Sequence, residues 1–113
     1  MIGRAYRFHG YGSLRYVYKS GQTVRGPHMS LRYSVNKKRQ NYRLAVVVSK
    51  KVNKSAVARN RIRRRIYEAF RTMEWADKPC DLVITVFQAT VEEMPVVELQ
   101  KEVSSLVQQA KLD

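Results

Sequence analysis

Lys50-Lys51-Val52-Asn53-Lys54-Ser55-Ala56-Val57-Ala58-Arg59-Asn60-Arg61-Ile62-Arg63-Arg64-Arg65-Ile66-Tyr67-Glu68-Ala69-Phe70-Arg71 joins a lysine-rich turn to an arginine-dense helical pattern. Ile62, Ile66, Ala69, Phe70 and Met73 recur at i, i+4, i+7, i+8 and i+11, the spacing of a buried helix face. At about 100° per residue, Asn60, Arg64, Tyr67 and Arg71 form a stripe opposite that arc. One face belongs to a core, and the other presents cations outward.

Working outward, the charge is strongly segregated. All nine acidic residues lie at or after Glu68, whereas 19 of the 22 Lys and Arg residues lie at or before Arg71. A solvated surface would mix the signs. A net charge of +13 with a pI near 10.3 is instead the footprint of a phosphate-backbone binder. It also predicts that anions such as sulfate or phosphate assist folding. No apolar run approaches the length of a membrane span, and the basic helix has no interfacial Trp, so a membrane surface is disfavoured as the partner.

The 113 residues fit one domain with a single modest core. Cys80 is the only cysteine, which excludes an intrachain disulfide and a CxxC metal site. The N-terminus carries no signal-peptide pattern, so a cytoplasmic location is expected.

Around the basic helix the pattern reads as a mixed α/β chain. Residues 1–9 form a flexible basic arm, and Ser13 can cap a short helix over residues 13–20 that ends at Gly21. Thr23 to Asn36 is strand-like, with Met29, Leu31, Tyr33 and Val35 on one face and Ser30, Arg32 and Ser34 on the other. Residues 37–41 are a polar connection. Leu44 to Val48 is a continuous apolar run, expected to be covered on both faces or central in its sheet. The basic helix spans about 55–75, and Leu82 to Phe87 is a second apolar strand. A final amphipathic helix covers about 95–111 through Leu99, Val103, Leu106, Val107 and Ala110, with Thr90 and Glu93 at capping-box spacing. The expected fold is α+β: a two-layer α/β sandwich whose small mixed sheet contains a β-α-β crossover.

Catalytic constellations are absent. His9 and His28 have no acidic or cysteine partner at ligand or triad spacing and read as surface or RNA-contacting residues. Glu92-Glu93 reads as a helix-start feature. Gly10, Gly12 and Gly21 do not spell a phosphate loop. Any chemistry therefore belongs to a partner.

The run from Ser49 to Arg64, with its lysine loop and its Arg59-Asn60-Arg61 core followed by Glu68, resembles the signature of the bacterial ribonuclease P protein component. The resemblance extends to the order of elements, including the Asp-led apolar strand from Asp81 to Phe87. It implies a subunit that binds a catalytic RNA and helps remove the 5′ leader of precursor tRNA, with Mg²⁺ held mainly by the RNA, and a β-α-β crossover of unusual left hand. It implies that Arg59, Asn60, Arg61, Arg63, Arg64 and Arg71 contact the catalytic RNA, and that Lys50, Lys51 and Lys54 lie near the cleavage site. Leu14, Tyr18, Arg32 and Tyr33 would line a cleft for the single-stranded leader. Leu14 and Tyr18 stand where the family usually has aromatic residues, so Leu14 departs from the pattern. Tyr67 replaces a commonly basic residue and is left between RNA stacking and packing at the helix flank. Gln88-Ala89 lacks a basic residue often found there. A ribosomal-type or RNA-chaperone protein with no cleavage role is the alternative. A DNA-binding helix fits less well, for want of a helix-turn-helix partner or dimerisation heptads.

Overall fold

The computed structural model describes residues 21–35, 42–73 and 80–110. The expected arm at 1–9, the helix at 13–20 and the connection at 37–41 lie outside the described residues. The elements are β1 (Gln22–Arg25), β2 (Met29–Val35), β3 (Arg43–Val48), α1 (Ala56–Thr72), β4 (Cys80–Val86), a 3-10 turn (Ala89–Glu92) and α2 (Val96–Gln109). The four strands form one sheet in the order β1-β2-β4-β3. β1, β2 and β4 pair antiparallel, whereas β3 and β4 run parallel and are joined by the α1 crossover.

The strand-like stretch from Thr23 is split into a hairpin. Pro27 has no N–H for a ladder, and the Gly26 N–H donates to the Met29 carbonyl at 2.8 Å, turning the chain. Gly26 is also a place of close approach, because a Cβ there would lie 3.0 Å from Glu102 Oε2.

Register carries the alternation across the sheet. Leu31, Ile84 and Val46 form one cross-strand row, and Met29, Val86 and Val48 another, all buried on the helix-facing side. α1 covers this face with Ile62, Ile66, Ala69 and Phe70, and α2 covers it with Leu99, Val103, Leu106 and Val107. Truncating Ile62 or Ile66, each fully buried, removes roughly 2–5 kcal/mol of transfer and packing energy.

Two expectations change here. The run from Leu44 to Val48 lies at the edge of the described sheet, and β2 and β4 are its interior strands. Ala45 and Val47 are half-buried, so the run alternates after all; its small residues hid that alternation. Thr90 and Glu93 do not make a capping box. Thr90 sits in the 3-10 turn, its carbonyl accepts the Glu93 N–H at 3.1 Å, and Pro95 caps α2 without a side-chain bond.

Candidate nucleic-acid interface

The basic helix begins on a well-organised turn. Asn53 Oδ1 accepts the Ser55 N–H at 2.9 Å, and Ser55 Oγ in turn accepts the Ala58 N–H at 3.2 Å, capping α1. Arg59 reaches back over the same turn, and its Nη1 donates to the carbonyls of Asn53 and Lys54, both at 3.0 Å. This clamp fixes the segment that carries Lys50, Lys51 and Lys54, whose side chains stay exposed. Arg59 thus holds the lysine turn through Nη1, a role in addition to the RNA contact expected of it.

The other arginines of α1 divide by what they touch. Arg61 Nη1 lies 3.3 Å from Glu92 Oε2, and Arg63 Nη1 donates to Asn60 Oδ1. Arg71 pairs with Glu68 one turn earlier, and hydrogen bonding from that guanidinium holds the Glu68 carboxyl below its usual range. Arg65, which the sequence did not single out, is half-buried and donates to the carbonyls of Val91, Glu92 and Met94, locking the 3-10 turn against α1. Arg64 is exposed and has no hydrogen-bond or ion-pair partner among the described residues.

Tyr67 requires a correction. Its helical angle puts it beside the outward stripe with Asn60, Arg64 and Arg71, yet it is buried and belongs to the core cluster. Between the two readings left open for it, the fold takes packing at the helix flank. The core is wider on that side than the aliphatic arc alone suggested.

The second sheet face, turned away from α1 and α2, holds Ser, Thr, Ala, Val and Arg side chains and Asp81, with Val83, Asp81 and Arg43 buried on it. In register across it stand Ser30, Thr85 and Val47, then Arg32, Val83 and Ala45, then Ser34, Asp81 and Arg43. Arg32 lies on this face with Nη1 3.0 Å from Thr23 Oγ1. Tyr33 points the opposite way, packs against the core and donates from its hydroxyl to Gln22 Oε1 at 3.0 Å. Strand alternation therefore separates two residues expected to share a cleft. Leu14 and Tyr18 lie outside the described residues.

Three pairings escaped the sequence reading. Arg43 and Asp81 form a buried, bidentate ion pair, Nε to Oδ1 at 2.9 Å and Nη2 to Oδ2 at 3.0 Å. The Arg25 guanidinium stacks 4.3 Å from the centroid of the Phe87 ring, on the second face. His28, expected to be a surface or RNA-contacting residue, is half-buried, with Nδ1 2.7 Å from Glu102 Oε1, and its backbone N–H donates to Glu102 Oε2 at 3.0 Å. The partner lies 74 positions away, beyond any motif spacing.

A small sheet with an arginine-lined crossover helix and a clamped lysine turn has clear relatives. The family model described as Ribonuclease P matches residues 2–111. The chain belongs to the bacterial ribonuclease P protein family. The Macrococcus caseolyticus ribonuclease P protein component is 32% identical over 96% of this chain and 92% of its own length. The counterpart from Chloroflexus aurantiacus is 34% identical over 96% of this chain and 80% of its own. A Staphylococcus aureus RNase P protein mutant with defective mRNA degradation activity superposes with a TM-score of 0.84 at 26% identity, covering 97% of this chain and 92% of that one.

Membership makes the chain the protein subunit of ribonuclease P, a tRNA 5′-processing endoribonuclease, and makes RNA its partner. The enzyme family is generally metal-dependent. Among the described residues no three of His, Cys, Asp or Glu come together as a metal-ligand group. No described helix is long and apolar enough to cross a membrane.

Proposed function

We propose that α1 and the lysine turn dock on the ribonuclease P RNA, and that the second sheet face receives the single-stranded 5′ leader of precursor tRNA. The observation that carries the first part is the exposed Arg64 guanidinium, without a partner among the described residues, one turn along α1 from Asn60 on the helix that follows the exposed Lys50, Lys51 and Lys54. A free guanidinium fork suits a bidentate phosphate contact, and the lysines add adaptable point charges near the cleavage site. Arg61, Arg63 and Arg71 reach the RNA by exchanging a protein partner for a phosphate. Arg59 contributes by holding the lysine turn.

For the leader, Arg32 and the Arg25 and Phe87 stack supply charge and a ring beside small Ser, Thr and Ala side chains. Such a surface binds a backbone and stacks bases with little sequence preference. The Mg²⁺ ions and the hydrolytic step belong to the RNA in this reading, and the ribonucleoprotein works in the cytoplasm.

Reconstitution with the cognate RNA at low Mg²⁺ tests the assignment. The protein should stimulate precursor cleavage, and Arg32→Ala should weaken binding of a precursor with a leader while leaving mature tRNA binding unchanged. Equal loss for both ligands would remove Arg32 from the leader site.

A further inference from the structure

Between α1 and α2 runs a groove of about 430 Å³. Its size lies within the range of small-ligand sites, about 300–1,000 Å³. Ala69 and Leu99 form its floor, and Val96, 61% exposed, forms one wall. Thr72 and Gln100 stand at one end, with Gln100 Nε2 3.3 Å from Thr72 Oγ1 and the Gln100 amide oxygen without a partner among the described residues. Arg64 stands at the rim.

The charges around this groove favour an anionic ligand with an apolar, planar part. Glu68 also lines the groove, but its carboxylate is engaged by Arg71. Arg65 is held by backbone carbonyls, so it stiffens the wall without reaching outward. Arg64 alone among these groups is free to grip an anion, and it belongs to the same outward stripe that faces RNA in the docking reading. A nucleotide has the required parts: a phosphate for Arg64, a flat ring for the space between Val96, Ala69 and Leu99, and a polar edge for Gln100. RNA is commonly read through bases that have left the stack.

We propose that this groove receives one unstacked nucleobase of the ribonuclease P RNA, with its adjoining phosphate on Arg64. The inference rests on the docking of α1 against that RNA. It adds a base contact to an interface otherwise made of phosphate contacts.

Two measurements test it, the first on the complete chain bound to its RNA. Val96→Trp fills the groove from an exposed helix position, and Val97→Trp, equally exposed at 61% but outside the groove, is the size-matched control. Val96→Trp should lower RNA affinity about tenfold, as for one stacked base. The salt slope should stay unchanged because no phosphate contact is lost. Val97→Trp should bind as the parent does. Parent-like binding by Val96→Trp, or an equal loss from both variants, overturns the groove while leaving RNA docking intact. Failure of the parent chain to bind the RNA would instead sink the docking reading. The second measurement uses the parent chain alone, titrated with AMP and with ribose 5-phosphate while methyl resonances are followed. AMP should shift Ala69, Val96 and Leu99, and ribose 5-phosphate should not. No shift from AMP, or the same shift from both, overturns the proposal.

Discussion

The inner flank and the outer stripe of α1 carry the same residue type and use it in opposite ways. Arg65 is half-buried and satisfies three backbone carbonyls, whereas Arg64, its immediate neighbour in sequence, is exposed and without a partner among the described residues. The first has its donors committed to the fold, and the second has them available for a phosphate. A count of arginines therefore overstates the interface. Arg59, Arg61, Arg63 and Arg71 each have a protein acceptor that an RNA phosphate must displace or bypass.

If committed arginines serve the fold, removing their acceptors must cost stability. The largest effect is expected at the buried pair on the second sheet face. Asp81→Ala leaves Arg43, whose side chain is 7% exposed, without its bidentate carboxylate. Breaking such a pair from one side costs roughly 3–5 kcal/mol. Chemical denaturation should show that loss, and a change under about 1 kcal/mol would mean that Arg43 readily finds other acceptors.

Arg65→Ala comes next. It strips charge-assisted donors from Val91, Glu92 and Met94, and such bonds are worth about 1.5–3 kcal/mol. The midpoint of unfolding should fall by a corresponding amount, while the salt slope of RNA binding, measured where the variant is folded, should match the parent. A reduced slope would place Arg65 among the phosphate contacts and erase the contrast with Arg64.

The sequence revealed this division only partly, for physical reasons. Periodicity found α1, α2 and the core face of β2, because burial repeats at the helical or strand period and Ile62, Ile66 and Leu31 obey it. It could not separate Arg64 from Arg65, since the acceptors of Arg65 are carbonyls of a turn 26 to 29 positions away. Tyr67 was misplaced because a ring with a long reach can join the core from a flanking angle. His28 and Glu102 were missed because no local spacing encodes a contact between the hairpin turn and α2. The family motif pointed to the lysine turn and the helix as the part to meet RNA, but no motif spacing disclosed that Arg59 also clamps that turn through the Asn53 and Lys54 carbonyls.

Arg64→Ala tests the open side of the comparison. Stability should stay within about 0.5 kcal/mol, as for an exposed residue without partners. Affinity for the ribonuclease P RNA should fall, and the slope of log K against log salt should become shallower by about one. An unchanged slope would show that Arg64 is merely solvated.

The smallest effect is expected at Glu68, and it can convert one class of arginine into the other. Hydrogen bonding from Arg71 lowers the Glu68 carboxyl below its ordinary 4.5. A depressed carboxylate stabilises the folded state at pH values above its unfolded pKa, and that contribution is lost as the pH falls through the folded value. Melting temperature should therefore decline slightly as the pH drops below about 4.5, and Glu68→Gln should remove this part of the decline. The shift is small because both side chains are exposed and screened by salt. The same substitution frees Arg71, so RNA binding at neutral pH should strengthen modestly and its salt slope steepen. If the slope does not move, the Glu68 pairing is not what withholds Arg71 from the RNA, and the division between committed and open arginines rests on position along the helix instead.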